Sequence, residues 1–91
     1  MIVEIISPEA ALLHTEATAI YVPGINGDFE MLNNHAPIVS LLKKGSIKIK
    51  GEVIIDELYQ DKFKKEGDYT VLEISSGTIE MSKNKIIILV D

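Results

Sequence analysis

An all-β fold, a two-sheet antiparallel β-sandwich of about eight to ten strands, is what this 91-residue sequence predicts. Three observations carry the prediction. Apolar residues alternate with polar ones at a period of two in several short runs. Turn-forming residues interrupt those runs at roughly eight- to twelve-residue intervals. The apolar runs are rich in Ile and Val and too short for helices, which favours strands.

Taken along the chain, Ala17 to Val22 is apolar enough to be a strand covered on more than one side. Pro23-Gly24 suits a type II turn, because Pro presets φ and Gly accepts a positive one. Asn26-Gly27 is a tight-hairpin signal before Asp28-Phe29-Glu30-Met31, which alternates. Asn33-Asn34 and Lys43-Lys44-Gly45 mark further reversals around Ser46-Ile47-Lys48-Ile49-Lys50, the cleanest alternation in the chain. Tyr69 to Ile74 reads as a well-covered strand. Ser75-Ser76-Gly77 turns into Thr78-Ile79-Glu80-Met81-Ser82, and Lys83-Asn84 turns into Ile86 to Val90, a buried strand. The expected core is Val3, Ile5, Val22, Phe29, Ile47, Ile49, Ile79, Met81 and Ile88.

One stretch fits two schemes. Ile55, Tyr59 and Phe63 recur every four residues, which is helical spacing and equally one face of a strand. Gly67 could cap a short helix, with Lys62, Lys64 and Lys65 near its C-terminus. Residues 51–68 are expected to protrude as a lengthened hairpin, with room for one helical turn. No repeat, low-complexity segment or linker divides the chain, so residues 1–91 are read as one domain.

Composition narrows function. No cysteine is present, which rules out disulfides, thiol nucleophiles and Cys-based zinc sites. The opening Met1-Ile2-Val3-Glu4 has no basic, apolar and cleavage-site pattern of a leader, so no signal or transit peptide is expected. The run Ile86 to Val90 is far below the roughly 20 apolar residues a membrane helix needs. Net charge is −5 with no Arg, and residues 1–42 hold Glu4, Glu9, Glu16, Asp28 and Glu30 without a Lys. Nucleic-acid binding is disfavoured, since phosphate contacts need an unopposed basic face. An acidic first half suits a basic protein partner, and equally a solvated surface.

Catalytic patterns are missing. His14 and His35 lack the close spacing of a metal-ligand pair, and a turn or interface role fits His35 before Ala36-Pro37 better. Ser75-Ser76-Gly77 is not a nucleophile elbow. Pro23-Gly24-Ile25-Asn26-Gly27-Asp28 has no Lys-Ser/Thr and no helix behind it to cradle a phosphate.

Three segments together resemble the epsilon subunit of F-type ATP synthases. Ser7-Pro8-Glu9 with Leu12-Leu13 is similar to the family's opening. Val22-Pro23-Gly24-Ile25-Asn26-Gly27-Asp28-Phe29, Leu32 and His35-Ala36-Pro37-Ile38 resemble its central motif, and Ser76 to Met81 with Ile88 to Asp91 its close. Departures are Glu30 for a Gly and Asn33-Asn34 for Pro-Gly, where Asn tolerates the left-handed turn conformation. Residues 51 to about 68 run longer than in the family. Relatives continue past Val90-Asp91 into a two-helix hairpin, so the expected form is the sandwich without that hairpin.

The resemblance implies a non-catalytic rotor subunit on the cytoplasmic face of the energy-transducing membrane, peripheral rather than inserted. It would join the γ subunit to the membrane c-ring and couple ion flow to ATP synthesis. It further implies that Asp28, Phe29, Glu30, Asn33, Asn34, His35, Ala36 and Pro37 form a loop facing the c-ring. Asp28 and Glu30 would pair with basic c-ring loops, and Ser7 and Ser40, as strand-end positions, would lie toward γ. No cofactor, metal or nucleotide is expected, nor inhibition by an extending arm. The competing reading is a stand-alone adaptor that binds a peptide along a strand edge; an enzyme would instead need a pocket with convergent polar groups.

Overall fold

The computed structural model describes residues 1–91 as ten strands and one short 3₁₀ helix, Glu57–Lys62. In chain order the strands are β1 (Ile2–Ile6), β2 (Ala11–Glu16), β3 (Ala19–Gly24), β4 (Gly27–Leu32) and β5 (Ile38–Leu42). They continue as β6 (Gly45–Lys50), β7 (Phe63–Glu66), β8 (Tyr69–Ile74), β9 (Gly77–Ser82) and β10 (Lys85–Val90). Hydrogen bonding connects them in the order β2-β1-β10-β9-β5-β3-β6-β8-β7, with β4 paired to β3.

This curled sheet folds into two halves of five strands each, β2-β1-β10-β9-β5 and β4-β3-β6-β8-β7. A single residue pair, Gly24 with Leu42, joins them. Every strand pair is antiparallel except β1 with β10. The expected two-sheet sandwich is thus the observed architecture.

The inner faces follow from the period of two. Val3 and Ile5, Ile47 and Ile49, Ile79 and Met81, and Ile86 and Ile88 are almost wholly buried, and Ile20, Val22 and Met31 join them. In β1, β6, β9 and β10 these residues alternate with more exposed ones, whereas β3, which carries Ile20 and Val22, is covered along nearly its whole length. Phe29, also expected in the core, is only half-buried against it. The reason is its place on β4, which has a strand neighbour on one side only.

Several turns differ from their sequence signals. Pro23 and Gly24 are the last two residues of β3, not a turn; the reversal falls on Ile25-Asn26. Gly27 there takes φ of 127°, and a Cβ on Gly24 would lie 2.6 Å from the Gly27 carbonyl oxygen and 2.7 Å from the Phe29 ring. Close approach, rather than turn geometry, is what requires glycine at Gly24. Lys83 and Asn84 both have positive φ, 51° and 59°, the signature of a type I′ hairpin between β9 and β10. Asn34 also takes a left-handed φ, 63°.

The stretch with two readings contains both. Asp56 caps the 3₁₀ helix, its Oδ1 accepting from the Leu58 N–H at 2.9 Å. Phe63 then begins β7, and Gly67, with φ of 59°, serves the β7–β8 turn instead of a helix cap. The segment does not simply protrude. Phe63 is buried, and Val53, Ile55 and Tyr59 pack partly against the core, while Ile54 and Leu58 point outward. The four-residue period of Ile55, Tyr59 and Phe63 is therefore a core-facing row that crosses a change of secondary structure.

Replacing Phe63 with Ala is expected to cost about 3–5 kcal/mol, because the cavity left in a packed core cannot fully collapse. Ile54→Ala, at a position 85% exposed, should change stability by less than about 0.5 kcal/mol. Urea unfolding of the two variants checks this, and equal effects would mean that residues 51–66 do not pack as described.

Candidate functional site

The sandwich has two ends, set by the direction in which each strand runs. At the front end lie the reversals after β1 (Ser7–Ala10), β3 (Ile25-Asn26), β5 (Lys43-Lys44) and β8 (Ser75-Ser76). At the rear lie Met1, the β4–β5 connection (Asn33–Pro37), the β7–β8 turn (Gly67-Asp68) and the β9–β10 turn (Lys83-Asn84).

This arrangement divides the loop expected from Asp28 to Pro37. Asp28, Phe29 and Glu30 belong to strand β4; only Asn33, Asn34, His35, Ala36 and Pro37 form a connection. Asp28 sits beside the front turn, paired with Pro23, whereas Asn33 follows Leu32 at the rear. From Asp28 to Leu32 are four strand steps, or roughly 14 Å at about 3.4 Å each. One flat partner surface cannot engage both groups at one end of the sandwich. Sequence adjacency concealed the split, because Asp28 to His35 reads as one loop until β4 is recognised as a paired strand.

Asp28 is exposed and shares a hollow of about 370 Å³ with Tyr21, Pro23, Lys44, Ser46 and Lys48. Glu30 lies mid-strand opposite Tyr21. Hydrogen bonds with Glu30 first and Tyr69 second, then desolvation, push the Tyr21 phenol well above its ordinary value. The Tyr21 and Tyr69 rings meet edge to face, 5.7 Å between centroids. Glu30 thus lies beside Tyr21 on the outer face of its own sheet, whereas Asp28 stands next to the turn.

The rear connection is tied down. The His35 N–H bonds to the Leu32 carbonyl at 3.2 Å, closing a turn over Asn33-Asn34. The Asn33 Oδ1 accepts from the Met1 nitrogen at 2.6 Å, and the Asn34 N–H donates to the Asn84 Oδ1 at 2.8 Å. The exposed His35 ring places Nδ1 2.8 Å from the Ala36 carbonyl oxygen. His14 is remote in the chain, on β2, 3.6 Å from Glu4. Lys85 approaches the same carboxylate at 2.9 Å, and the Lys85 hydrogen bond is the main reason Glu4 titrates below its ordinary value.

Ser7 follows β1 at the front end, where its hydroxyl donates to the Ala10 carbonyl at 3.2 Å. Ser40 is the central residue of β5, not a strand end. It alternates with Val39 and Leu41, which are 76% and 56% exposed. Ile25 and Leu89, also half exposed, stand near Leu41: the Ile25 N–H bonds to the Leu41 carbonyl at 3.0 Å, and Thr78 pairs with both Leu41 and Leu89. A shallow groove of about 340 Å³ runs among them over Gly77. Neither the alternation nor the motifs singled out this apolar patch. Val39 and Leu41 read as ordinary strand residues until β5 is seen to present them outward.

No group of three or more His, Asp or Glu side chains is arranged to hold a metal ion, and no helix is long and apolar enough to cross a membrane. The chemistry on offer is that of contact: an acid beside a hairpin, a pinned polar connection and an apolar strand face.

Comparison with known proteins adds a frame. Residues 1–91 match the family model described as the ATP synthase delta/epsilon chain β-sandwich domain. The chain is similar to the ATP synthase epsilon chain of Campylobacter concisus, 33% identical over 88 residues that cover 97% of this chain and 58% of that one. It is 39% identical over 90 residues to that of Leptospira interrogans, covering 98% and 59%. The chain thus spans less than three fifths of the length of these relatives. With the epsilon chain of Chlorobaculum tepidum the identity is 28% over 88 residues, covering 97% and 85%. Among solved structures, the central stalk and c-ring of the Tetrahymena thermophila mitochondrial ATP synthase contains a chain with the same fold, at a TM-score of 0.75 and 16% identity. That match covers 99% of this chain and 62% of the other.

The engagement of Glu30 with Tyr21 is directly measurable. The folded state holds the Tyr21 proton more tightly than the unfolded chain. Its contribution is therefore complete below the ordinary value of 10.0 and is lost as pH rises above it through the folded-state value. Glu30→Gln is expected to bring the phenol's titration to lower pH, read from phenolate absorbance with Tyr21→Phe as the assignment control. An unchanged titration curve would show that Glu30 is free.

Proposed function

Because this chain belongs to the ATP synthase delta/epsilon β-sandwich family, we propose that it is a non-catalytic subunit of the central stalk of an F-type enzyme. It joins the γ subunit to the membrane c-ring, and turns with them so that ion flow drives ATP synthesis in the catalytic head. The observation that carries this reading is the match of residues 1–91 to the ATP synthase delta/epsilon chain β-sandwich domain.

The role calls for a stiff body with two separate interfaces. Stiffness comes from a close-packed core in which twelve large side chains are less than 2% exposed. Separation comes from the two ends of β4. Asp28, beside the front turn, is placed to meet basic c-ring loops there. His35 and Pro37 at the rear, with Ser40 and its neighbours along β5, are placed for γ. Ser7 lies at the front end, which favours the c-ring side for it over the γ side expected from sequence. Glu30, engaged with Tyr21, contributes less than Asp28. On this reading residues 1–91 act as one domain, peripheral to the cytoplasmic face of the energy-transducing membrane. It needs no cofactor and no nucleic acid or nucleotide.

A stand-alone adaptor would survive purification by itself, so the first experiment is to identify what co-purifies with the chain from detergent-solubilised membranes. Recovery with γ and the c-ring is the expected result; recovery as a lone soluble protein would refute the stalk reading. Within the assembled enzyme, Asp28→Lys should weaken attachment of the stalk to the membrane sector several-fold, by up to about 1 kcal/mol. The effect should be greatest at low salt, where screening is weakest, and Glu30→Lys should have the smaller one. Equal attachment of wild type and Asp28→Lys at every ionic strength would remove Asp28 from the interface.

A further inference from the structure

We propose that Asn26 is a self-modifying site, where the Gly27 main-chain nitrogen displaces the side-chain ammonia and a new carboxylate is left at the front turn; this chemistry is independent of the stalk reading. Asparagine is among the chemically labile side chains. Asn26-Gly27 reads in the chain as the centre of a hairpin turn, but the reversal falls on Ile25-Asn26 and Gly27 opens β4. Asn26, Gly27 and Asp28 are all exposed. Gly27 takes φ of 127°, and a Cβ built there would meet nothing within 4 Å. Space around its Cα is open, and no side chain of its own shields its nitrogen from the Asn26 amide carbon. The Gly27 nitrogen faces Gly24 on the last rung of the β3–β4 ladder, and ladder ends fray most readily.

The other three asparagines lack these conditions. Each precedes a residue with a Cβ: Asn34, His35 and Lys85. The nitrogen after Asn33 is engaged, because the Asn34 N–H donates to the Asn84 Oδ1 at 2.8 Å. The nitrogen after Asn34 is engaged as well, the His35 N–H bonding to the Leu32 carbonyl at 3.2 Å. The side-chain carbonyls of Asn33 and Asn84 are held by the Met1 nitrogen and by that same Asn34 N–H. The exposed Asn26 side chain has no such tie.

Closure makes a cyclic imide. The Gly27 nitrogen bonds to the Asn26 Cγ, the Cγ–Nδ2 bond breaks, and the Gly27 amide proton passes through water to the departing group, which leaves as ammonia. Water then opens the ring at either carbonyl. Attack at Cγ breaks the new bond and gives aspartate. Attack at the main-chain carbonyl breaks the old peptide bond and gives isoaspartate, whose chain runs through Cγ. Either product adds one negative charge to a chain of net charge −5, beside Asp28 and the hollow lined by Lys44 and Lys48. Isoaspartate also adds a carbon to the main chain of a two-residue reversal. That reversal carries the Ile25 N–H bond to the Leu41 carbonyl at 3.0 Å, so the longer product loosens the corner and aspartate does not.

The experiment incubates the intact folded chain in mildly alkaline buffer, beside a sample held unfolded in urea. Both are mapped by mass spectrometry, with isoaspartyl methyltransferase as the probe. In the folded chain the peptide holding Asn26 should gain the mass of an amide-to-acid change and accept methyl groups, while Asn33, Asn34 and Asn84 stay intact. Asn26→Gln, which leaves Gly27 in place, should lose the methyl acceptance. Gly27→Ala should lose it too in the urea sample, where its effect on folding is irrelevant. A folded Asn26 that stays intact while the unfolded chain converts would overturn the proposal. So would aspartate without isoaspartate, or conversion spread evenly over all four asparagines. Amide exchange then checks the corner: the isoaspartate form should exchange the Ile25 amide faster than Asn26→Asp does, and equal exchange would remove the effect on the corner.

Discussion

The corner where the two halves of the sheet meet is the constraint on which the rest depends. Ten strands form one continuous sheet folded into two facing layers because the pairing of the two halves narrows to a single pair, Gly24 with Leu42. The backbones and the Phe29 ring crowd that point so closely that a Cβ on Gly24 would have no space. The Ile25 N–H and the Lys43 N–H bond to the Leu41 and Pro23 carbonyls on either side, at 3.0 and 2.9 Å. These bonds satisfy main-chain groups that a sharp corner would otherwise leave unpaired.

Strand pairing joins the layers at the front end only, so β4 and β5 are left as separate free edges along a seam that bonds to Asn33 and Asn84 close at the rear. Phe29, Ile38 and Ser40 are half-buried for that reason: each belongs to a strand beside the unstitched seam. The same geometry produces the exposed Val39 and Leu41. The core supplies rigidity, and the seam leaves apolar side chains of β5 exposed.

The segment between β6 and β8 shows a different compromise. Extra length there is held by three apolar contacts and Phe63, with Ile54 and Leu58 left outside. Its edge strand β7 is charged, which protects that open edge from pairing with another strand. Thr70, on the strand beside β7, is wholly buried with its hydroxyl unpaired, a polar cost within an otherwise apolar interior.

The strands themselves were legible in the chain. Ile47 and Ile49, or Ile79 and Met81, announce their faces because a strand's side-chain period is two and water separates apolar from polar. The Lys83-Asn84 hairpin and the left-handed Asn34 could also be read locally, since each depends on the conformational tolerance of one or two residues. Pro23-Gly24 could not. Its glycine answers to the Phe29 ring and to the Gly27 carbonyl, contacts invisible to a turn rule applied to neighbours. The site suffered in the same way. Motif resemblance grouped Asp28 with His35 in one loop and set Ser40 apart as a strand end, but only strand pairing could put Asp28 and His35 at opposite ends of β4 and Ser40 in the middle of β5. Alternation tells which side chains share a face; which edges stay open depends on how distant strands pair, and that only the tertiary structure decided.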